Sequence, residues 1–167
     1  MLGWNAGNGT GTFVDPRVNS NGEVFEDAAA ATRHTTDLIR AGADVIMPVD
    51  GAAGGIGAGR AVRAARKPVL LIGVDADQHF STPQFVDLWL TSVLKVYRQM
   101  VYLAVGETVL GRFEGGKLTG TLANGGVGLA PYYGHTNRVP ARLKRELAKI
   151  DKDISKGTIS LDPASYL

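Results

Sequence analysis

The sequence predicts an α/β protein built on a parallel sheet with helices on both of its faces. Two apolar runs without polar alternation, ADVIMPV and VLLIGVD, are typical of strands that are covered on both sides. Segments with apolar residues at helical spacing precede and separate these runs. Strands that alternate with helices imply parallel pairing, and 167 residues suit one such domain.

The first half of the chain has the clearer order of elements. Residues 23–41 carry apolar side chains at helical spacing, and Gly42 stands where a helix would stop. Residues 43–49 then form the first predicted buried strand. A glycine-rich loop, a helix over 58–67 and a second buried strand over 69–75 follow.

The second half is less regular. Residues 91–107 predict a helix whose amino end is capped near Thr91 or Ser92. Residues 116–131 contain strand-like and turn-like parts. Residues 139–157 predict a further helix, with a proline in its first turn and a glycine at its end.

The composition excludes several classes of function. With 18 basic and 16 acidic residues the net charge is +2, which gives no electrostatic footprint for a nucleic-acid partner. The absence of cysteine excludes disulfides, thiol catalysis and cysteine-bound zinc. The three histidines lack the spacing of a metal motif, so no metal is expected. Neither a signal peptide nor an apolar run of about 18 residues is visible.

The stretch DGAAGGIGAGRAV, residues 50–62, has two interpretations. It places five glycines within nine residues, directly after an apolar run. One interpretation is the phosphate-binding turn of a short-chain dehydrogenase, whose ribose would be held by Asp75. The other is a tight strand-to-helix turn beneath a different ligand. The dehydrogenase interpretation lacks a tyrosine followed four positions later by lysine. It also needs the loop to follow the first strand, whereas here an earlier strand end at MLGW and a long helix precede the strand before the loop.

Two aspartates mark the ends of the two predicted strands. Asp50 follows the first strand, and Asp75 ends the second. Ligands of parallel α/β sheets bind beyond the carboxyl ends of the strands, so both carboxylates and the glycine segment should share one rim. This arrangement suits either an acid–base pair or two acceptors of hydrogen bonds from a bound sugar.

Five motifs in a fixed order resemble one protein family. MLGW, GADVIMPVDGAAGGIGAG, LIGVDADQ, LTSVLK and GGVGLAP follow one another along the chain. This set resembles the basic membrane protein family of bacterial ABC-transporter binding proteins, which includes purine nucleoside receptors. The resemblance implies a type I periplasmic-binding-protein fold. In that fold two Rossmann-like lobes are joined by three crossings, and the ligand lies between them.

The resemblance covers the second lobe and leaves the first lobe incomplete. It implies a second-lobe core over 1–92, a crossover towards the first lobe over 93–135, and a C-terminal helix and tail over 136–167 that return to the second lobe. An intact parent would be extracytoplasmic, either periplasmic or anchored to the membrane as a lipoprotein. This chain itself carries no recognisable signal.

The resemblance also implies ligand contacts. Asp75, the first aspartate of GVDxDQ, is expected to accept hydrogen bonds from a ribose, and Lys95 of LTSxxK to reach the ligand or Asp75. Gly51 should approach the ligand closely, because a Cβ would be in the way. Asp50 departs from the family pattern, in which a small apolar residue is common. Its carboxylate either adds a polar ligand contact or caps the following helix.

Three residues are candidates for stacking on a base. Met47 lies near the expected place, and its sulfur can pack on a ring. Phe80 and Trp89 lie before the LTSVLK motif and are the alternatives.

These expectations describe part of the solute-binding component of an ABC importer. It would bind a nucleoside or another sugar-containing ligand, without catalysis or a cofactor, and the intact parent would meet an ABC permease. The alternatives are a dehydrogenase-like enzyme and the effector-binding domain of a transcription regulator, which shares the two-lobed architecture. The almost wholly apolar helix expected over 92–107 also predicts a homo-oligomer, because such a helix must be covered on several sides.

Overall fold

The computed structural model describes residues 4–5, 10–11 and 27–161. The strands over these residues are β1 (Trp4–Asn5), β2 (Thr10–Gly11), β3 (Val45–Ile46), β4 (Leu70–Asp75), β5 (Trp89–Lys95) and β6 (Val127–Leu129). The α-helices are α1 (Ala28–Arg40), α2 (Gly51–Ala64), α3 (Gln78–Ser81), α4 (Tyr97–Val109) and α5 (Ala141–Ser155). Two 3-10 helices cover Pro83–Phe85 and Tyr133–Arg138. None of the described helices combines the length and the apolar character that a membrane crossing requires.

The main sheet has four strands in the order β3-β4-β5-β6. The pairs β3–β4 and β4–β5 are parallel, whereas β6 runs antiparallel to β5. The strands β1 and β2 form a separate antiparallel pair. The predicted α/β class is confirmed, with a sheet that is parallel except at β6. The carboxyl ends of β3, β4 and β5 therefore lie along one edge, which we call the carboxyl edge.

The strand predicted over 43–49 is shorter and less buried than expected. Only Val45–Ile46 forms β3, and of its two side chains only that of Ile46 is buried. The reason is topological, because β3 pairs with β4 alone among the described strands and lies at the border of the sheet. A border strand needs one covered face, so an apolar run does not guarantee burial on both sides.

The helix predicted over 91–107 is wrong in its first part. Residues up to Lys95 belong to β5, and α4 begins only at Tyr97. The proposed caps are instead buried in the sheet: the Thr91 hydroxyl donates to the carbonyl oxygen of Ala130 at 2.7 Å, and Ser92 is 1% exposed. Long-range pairing of β5 with β4 and β6 thus overrides the helical spacing of this segment.

The prediction of a glycine-rich loop is also wrong, because its glycines lie inside helix α2. Their role is close packing. A Cβ on Gly57 would lie 2.4 Å from the carbonyl oxygen of Ala28 in α1, and one on Gly59 would lie 2.5 Å from the ring of Phe85. The Thr32 hydroxyl bridges the same helices by donating to the carbonyl oxygen of Gly57 at 3.0 Å. Helices α1 and α2 can therefore approach closely above the core, which contains Ile39, Ile46, Ala58, Ala61, Val62, Val69, Leu71, Phe85, Leu88 and Trp89.

The remaining predicted elements are confirmed with adjusted bounds. Helix α1 starts after its cap Asp27, whose carboxylate accepts from the amide of Ala30 at 2.8 Å; the predicted start at 23 lies outside the described residues. Strand β4 matches the run 69–75 closely. Helix α5 follows Pro140 directly, and Gly157 takes a φ of +72° just after it.

Candidate functional site

The topology brings all five predicted ligand contacts to the carboxyl edge. Met47 follows β3 directly, and Asp50 and Gly51 lie at the amino end of α2, just beyond β3. Asp75 is the last residue of β4, and Lys95 is the last residue of β5. Because these three strands are parallel, their carboxyl ends meet at one edge.

Asp75 and Lys95 form an ion pair across adjacent strands. The Lys95 Nζ lies 2.6 Å from the Asp75 Oδ1, and the side chains are 58% and 42% exposed respectively. The hydrogen bond to Asp75, followed by the negative charge of that carboxylate, raises the pKa of Lys95. The prediction placed Lys95 near a helix start, whereas the end of β5 is what positions it. An exposed pair of this kind adds little to stability, so both groups are available to a ligand.

The backbone at Asp75 is strained. Asp75 has a φ of +69°, and the amide of Ala76 donates to the carbonyl oxygen of Val74 at 2.9 Å. This is a γ-turn of the rare form with a positive φ at its centre. A non-glycine residue in such a region costs about 1–3 kcal/mol and persists only where its surroundings hold it in place.

Gln78 stabilises this turn through two hydrogen bonds. Its side-chain Nε2 donates to the carbonyl oxygen of Val74 at 3.1 Å, and its backbone amide donates to the Ser92 Oγ at 3.1 Å. Gly73 leaves the necessary space, since a Cβ there would lie 2.3 Å from the Gln78 Cγ and 2.6 Å from the Ser92 Oγ. Sequence reasoning missed these supporting residues, although they belong to the same GVDADQ and LTSVLK motifs.

Asp50 lies buried at the amino end of α2. It is 3% exposed, and its Oδ2 has no hydrogen-bond partner within the described part of the chain. Its side chain makes no capping bond to α2 and instead packs over Gly54, where a Cβ would lie 2.4 Å from the Asp50 Cβ. Burial and then the charge of Asp27 raise the pKa of Asp50. Helix capping, one of the two predicted roles, is therefore wrong for this side chain, and the ligand contact stays a prediction.

Asp50→Asn is expected to stabilise the protein in a pH-dependent way. A carboxyl group whose folded pKa is raised contributes its stability below the unfolded pKa and loses it as the pH rises through the folded pKa. At neutral pH the amide should therefore raise the free energy of unfolding by about 1–2 kcal/mol, because it removes a buried charge without a donor. Urea unfolding at pH values from about 3 to 8 measures the difference.

Asp37→Asn is the matched control, because Asp37 is an exposed carboxylate on α1. It should show no comparable gain at neutral pH. A difference between Asp50→Asn and the wild type that stays constant across the pH series would contradict the role assigned to the buried charge.

The three candidates for ring stacking separate clearly by burial. Trp89 is 1% exposed at the start of β5 and packs against Gly55 in the core, so this candidate is wrong. Met47 is 46% exposed beside the carboxyl edge, and Phe80 is 71% exposed on α3. Both are physically accessible to a planar ligand. Over the described ranges, no group of three or more histidine and acidic side chains could hold a metal ion.

A family model described as ABC transporter substrate-binding protein PnrA-like, or Bmp, matches residues 17–162. The chain belongs to this family. The family resemblance inferred from the motifs is thereby confirmed. The matched segment includes the Asp75–Lys95 pair, so the candidate site lies within the part of the chain that the PnrA-like family model matches.

Solved structures agree with the PnrA-like assignment. A solute-binding protein of an ABC transporter system from Aeropyrum pernix K1 is 25% identical, with a TM-score of 0.63 over 85% of this chain and 47% of that one. A solute-binding protein from Conexibacter woesei is 20% identical, with a TM-score of 0.66 over 82% and 43%. A transcriptional activator of the comK gene from Bacillus halodurans is 19% identical, with a TM-score of 0.68 over 82% and 45%. The latter two show likeness of fold alone.

This PnrA-like chain spans a little under half the length of these solved structures. A search of curated proteins returned no significant match.

Proposed function

We propose that this PnrA-like chain forms one wall of a ligand site and binds a nucleoside, or another sugar-containing ligand, at its carboxyl edge. The observation that carries the proposal is the exposed Asp75–Lys95 pair at the ends of adjacent parallel strands. An ionised carboxylate can accept from two neighbouring hydroxyls at once, and an ammonium group beside it can donate to a hydroxyl or ring oxygen. A ribose presents such hydroxyls side by side. Met47, exposed at the same edge, offers a polarizable contact for a base.

The family supplies the setting of this proposal. ABC-transporter substrate-binding proteins capture a ligand outside the cytoplasm and deliver it to a permease, so the parent would be extracytoplasmic, either lipid-anchored or periplasmic. The ligand would be held between this wall, which belongs to the second lobe, and the first lobe, with 93–135 as the crossover towards the first lobe. The role is binding without chemical conversion.

The dehydrogenase alternative loses its main support in this arrangement. That alternative relied on the glycines of α2 to bind a phosphate. Three of these glycines pack against α1, Phe85 and Trp89, so close packing already accounts for them. The likeness to a transcriptional activator concerns the fold and does not favour regulation over transport.

Titration of the isotope-labelled chain with adenosine, adenine, ribose and NAD tests the proposal. Nuclear magnetic resonance detects the millimolar affinities that a single wall can give. We expect adenosine and ribose to shift the signals of Asp75 and Lys95. Shifts confined to NAD and centred on α2 would instead support the dehydrogenase alternative.

The exposed apolar side chains of α4 and of the segment that follows it are expected to cause self-association. No residue of α4 is buried, and the exposed apolar side chains on it and on the segment that follows are Tyr97, Val101, Tyr102, Val105, Val109, Leu110, Phe113 and Leu118. We call these eight side chains, within residues 97–118, the apolar patch, and they exceed the scattered apolar exposure that is usual for monomers. Light scattering should show a mass that rises with protein concentration.

The double variant Tyr102→Lys, Val105→Glu should lower this mass, since it places charges on the patch. Leu143→Lys on α5 is the control, because Leu143 is exposed outside the patch. A monomer at every concentration for the wild-type chain would contradict the expectation.

A further inference from the structure

We propose that Tyr133 is a positioning residue of the ligand site, acting through Asp77 to hold the γ-turn that presents Asp75. The positioning is a property of this chain alone, whereas its effect on affinity rests on the proposed function. Tyr133 begins the 3-10 helix after β6, far from Asp75 in sequence, and none of the motifs considered above includes it.

Tyr133 contacts the segment that follows Asp75 in two ways. Its hydroxyl donates to the Asp77 Oδ2 at 2.5 Å. Its ring stacks on that of His79, with a centroid distance of 3.8 Å and an interplanar angle of 13°. Asp77 also accepts from the His79 amide through Oδ1, at 3.1 Å. The Asp77 carboxylate, two positions after Asp75, is therefore fixed from both sides.

Backbone strain links the two ends of this contact. Among the described residues, Asp75 and Tyr133 are the non-glycine residues with a positive φ, at +69° and +41°. One hydrogen bond, through Asp77, connects their segments. Strained residues persist where surrounding contacts over-determine them, so the shared contact is a reason for both to survive.

The segment that carries Tyr133 is itself anchored, so it can act as a support. The Nε2 of His135 lies 2.9 Å from the carbonyl oxygen of Asp87, in the turn before β5. The Lys144 Nζ donates to the carbonyl oxygen of Thr136 at 2.8 Å, which ties the 3-10 helix to α5. The Tyr133 hydroxyl therefore donates to Asp77 from a segment that is itself held in place.

Gln78 and Tyr133 divide the task of holding the turn. Gln78 holds the residue before Asp75 through the carbonyl oxygen of Val74, and Tyr133 holds the residue after Ala76 through Asp77. Without the Tyr133 hydroxyl, the Asp77 carboxylate keeps only the amide of His79 as a donor among the described residues, while the Asp77 carbonyl oxygen still accepts from the amides of Phe80 and Ser81. The backbone of Asp77 would stay in place, but the turn would lose its only hydrogen bond from the Tyr133 segment within the described residues. Asp75 would then be less restrained in the positive-φ conformation, and its carboxylate would shift relative to Lys95.

Tyr133→Phe tests this inference, because it removes the hydroxyl and keeps the ring that stacks on His79. Tyr132→Phe is the matched control: its ring lies near the Lys144 ammonium, and its hydroxyl has no hydrogen bond within the described residues. The readout is the 13C signal of the Asp75 carboxyl carbon and the 15N signal of the Lys95 ammonium group in the free chain. We expect both to move in Tyr133→Phe and to stay unchanged in Tyr132→Phe. Adenosine affinity should fall roughly 3- to 10-fold in the former alone.

A merely structural role would lower the thermal midpoint of Tyr133→Phe without moving the Asp75 and Lys95 signals, and that result overturns the inference. If Tyr133→Phe does not fold, Asp77→Ser replaces it: serine can still cap the His79 amide but is too short to reach Tyr133. In a further outcome, the Asp75 and Lys95 signals move in the free Tyr133→Phe chain but the wild type does not bind adenosine. That outcome supports the positioning role of Tyr133 and rejects the ligand proposal. Unchanged signals together with normal adenosine binding reject the positioning and leave the ligand proposal standing.

Discussion

Asp75→Asn is expected to weaken nucleoside binding roughly 10- to 100-fold, which corresponds to the loss of a charge-assisted hydrogen bond. Asparagine tolerates a positive φ better than other residues, so the γ-turn should survive and the variant should isolate the charge. Titration with adenosine, monitored at residues outside the exchanged side chain, measures the affinity.

Two comparisons make this result specific. Asp87→Asn also removes an exposed carboxylate from an ion pair, the one with Arg63, but Asp87 precedes β5 and lies away from the carboxyl edge. The adenosine affinity of the Asp87→Asn variant should match that of the wild type. Lys95→Met should weaken binding as well, because it removes the ammonium donor beside Asp75. An Asp75→Asn variant with unchanged affinity would reject Asp75 as a ligand contact.

Gly57→Ala is expected to lower the free energy of unfolding by roughly 2–3 kcal/mol, the cost of forcing an extra carbon into a packed interface. The new Cβ would lie 2.4 Å from the carbonyl oxygen of Ala28 and 2.7 Å from the Ala31 Cβ. Both neighbours belong to α1 and one of them is backbone, so relief requires the two helices to separate. Urea unfolding measures the change.

Gly106→Ala supplies the matched control for this substitution. Gly106 also lies inside a helix, α4, but a Cβ there would meet nothing within 4 Å. Alanine should therefore stabilise it by about 0.5–1 kcal/mol, the ordinary difference in helix propensity. Equal effects at Gly57 and Gly106 would show that the glycines of α2 do not serve the packing of α1 on α2.

The failures of the sequence-based predictions share a cause. Residues 91–95 belong to a segment with helical spacing of apolar residues, yet they form β5. The backbone pairs with β4 and β6, the Ser92 hydroxyl accepts from α3, and the Thr91 hydroxyl donates to Ala130, directly after β6. The glycines of α2 suggested a loop, since no local pattern shows that α1, Phe85 and Trp89 will occupy the space beside them. Trp89, as an apolar aromatic residue before a motif, suited the core and a ligand equally well until its burial was known.

The sequence by itself determined the class, the order of most elements, the family, and the position of Asp75 on the rim, whereas only the family resemblance implied that Lys95 reaches Asp75. Periodicity and motif order are properties of the linear chain, and the rule that parallel strands end at one edge converts them into proximity. Only the tertiary structure decided that Asp75 lies in a strained turn, that Gln78 and Tyr133 donate hydrogen bonds to residues on either side of Asp75, and that the buried Asp50 Oδ2 has no donor within the described part of the chain. Those features depend on contacts between segments distant in sequence, and on backbone angles that such contacts impose, so residue order alone does not express them.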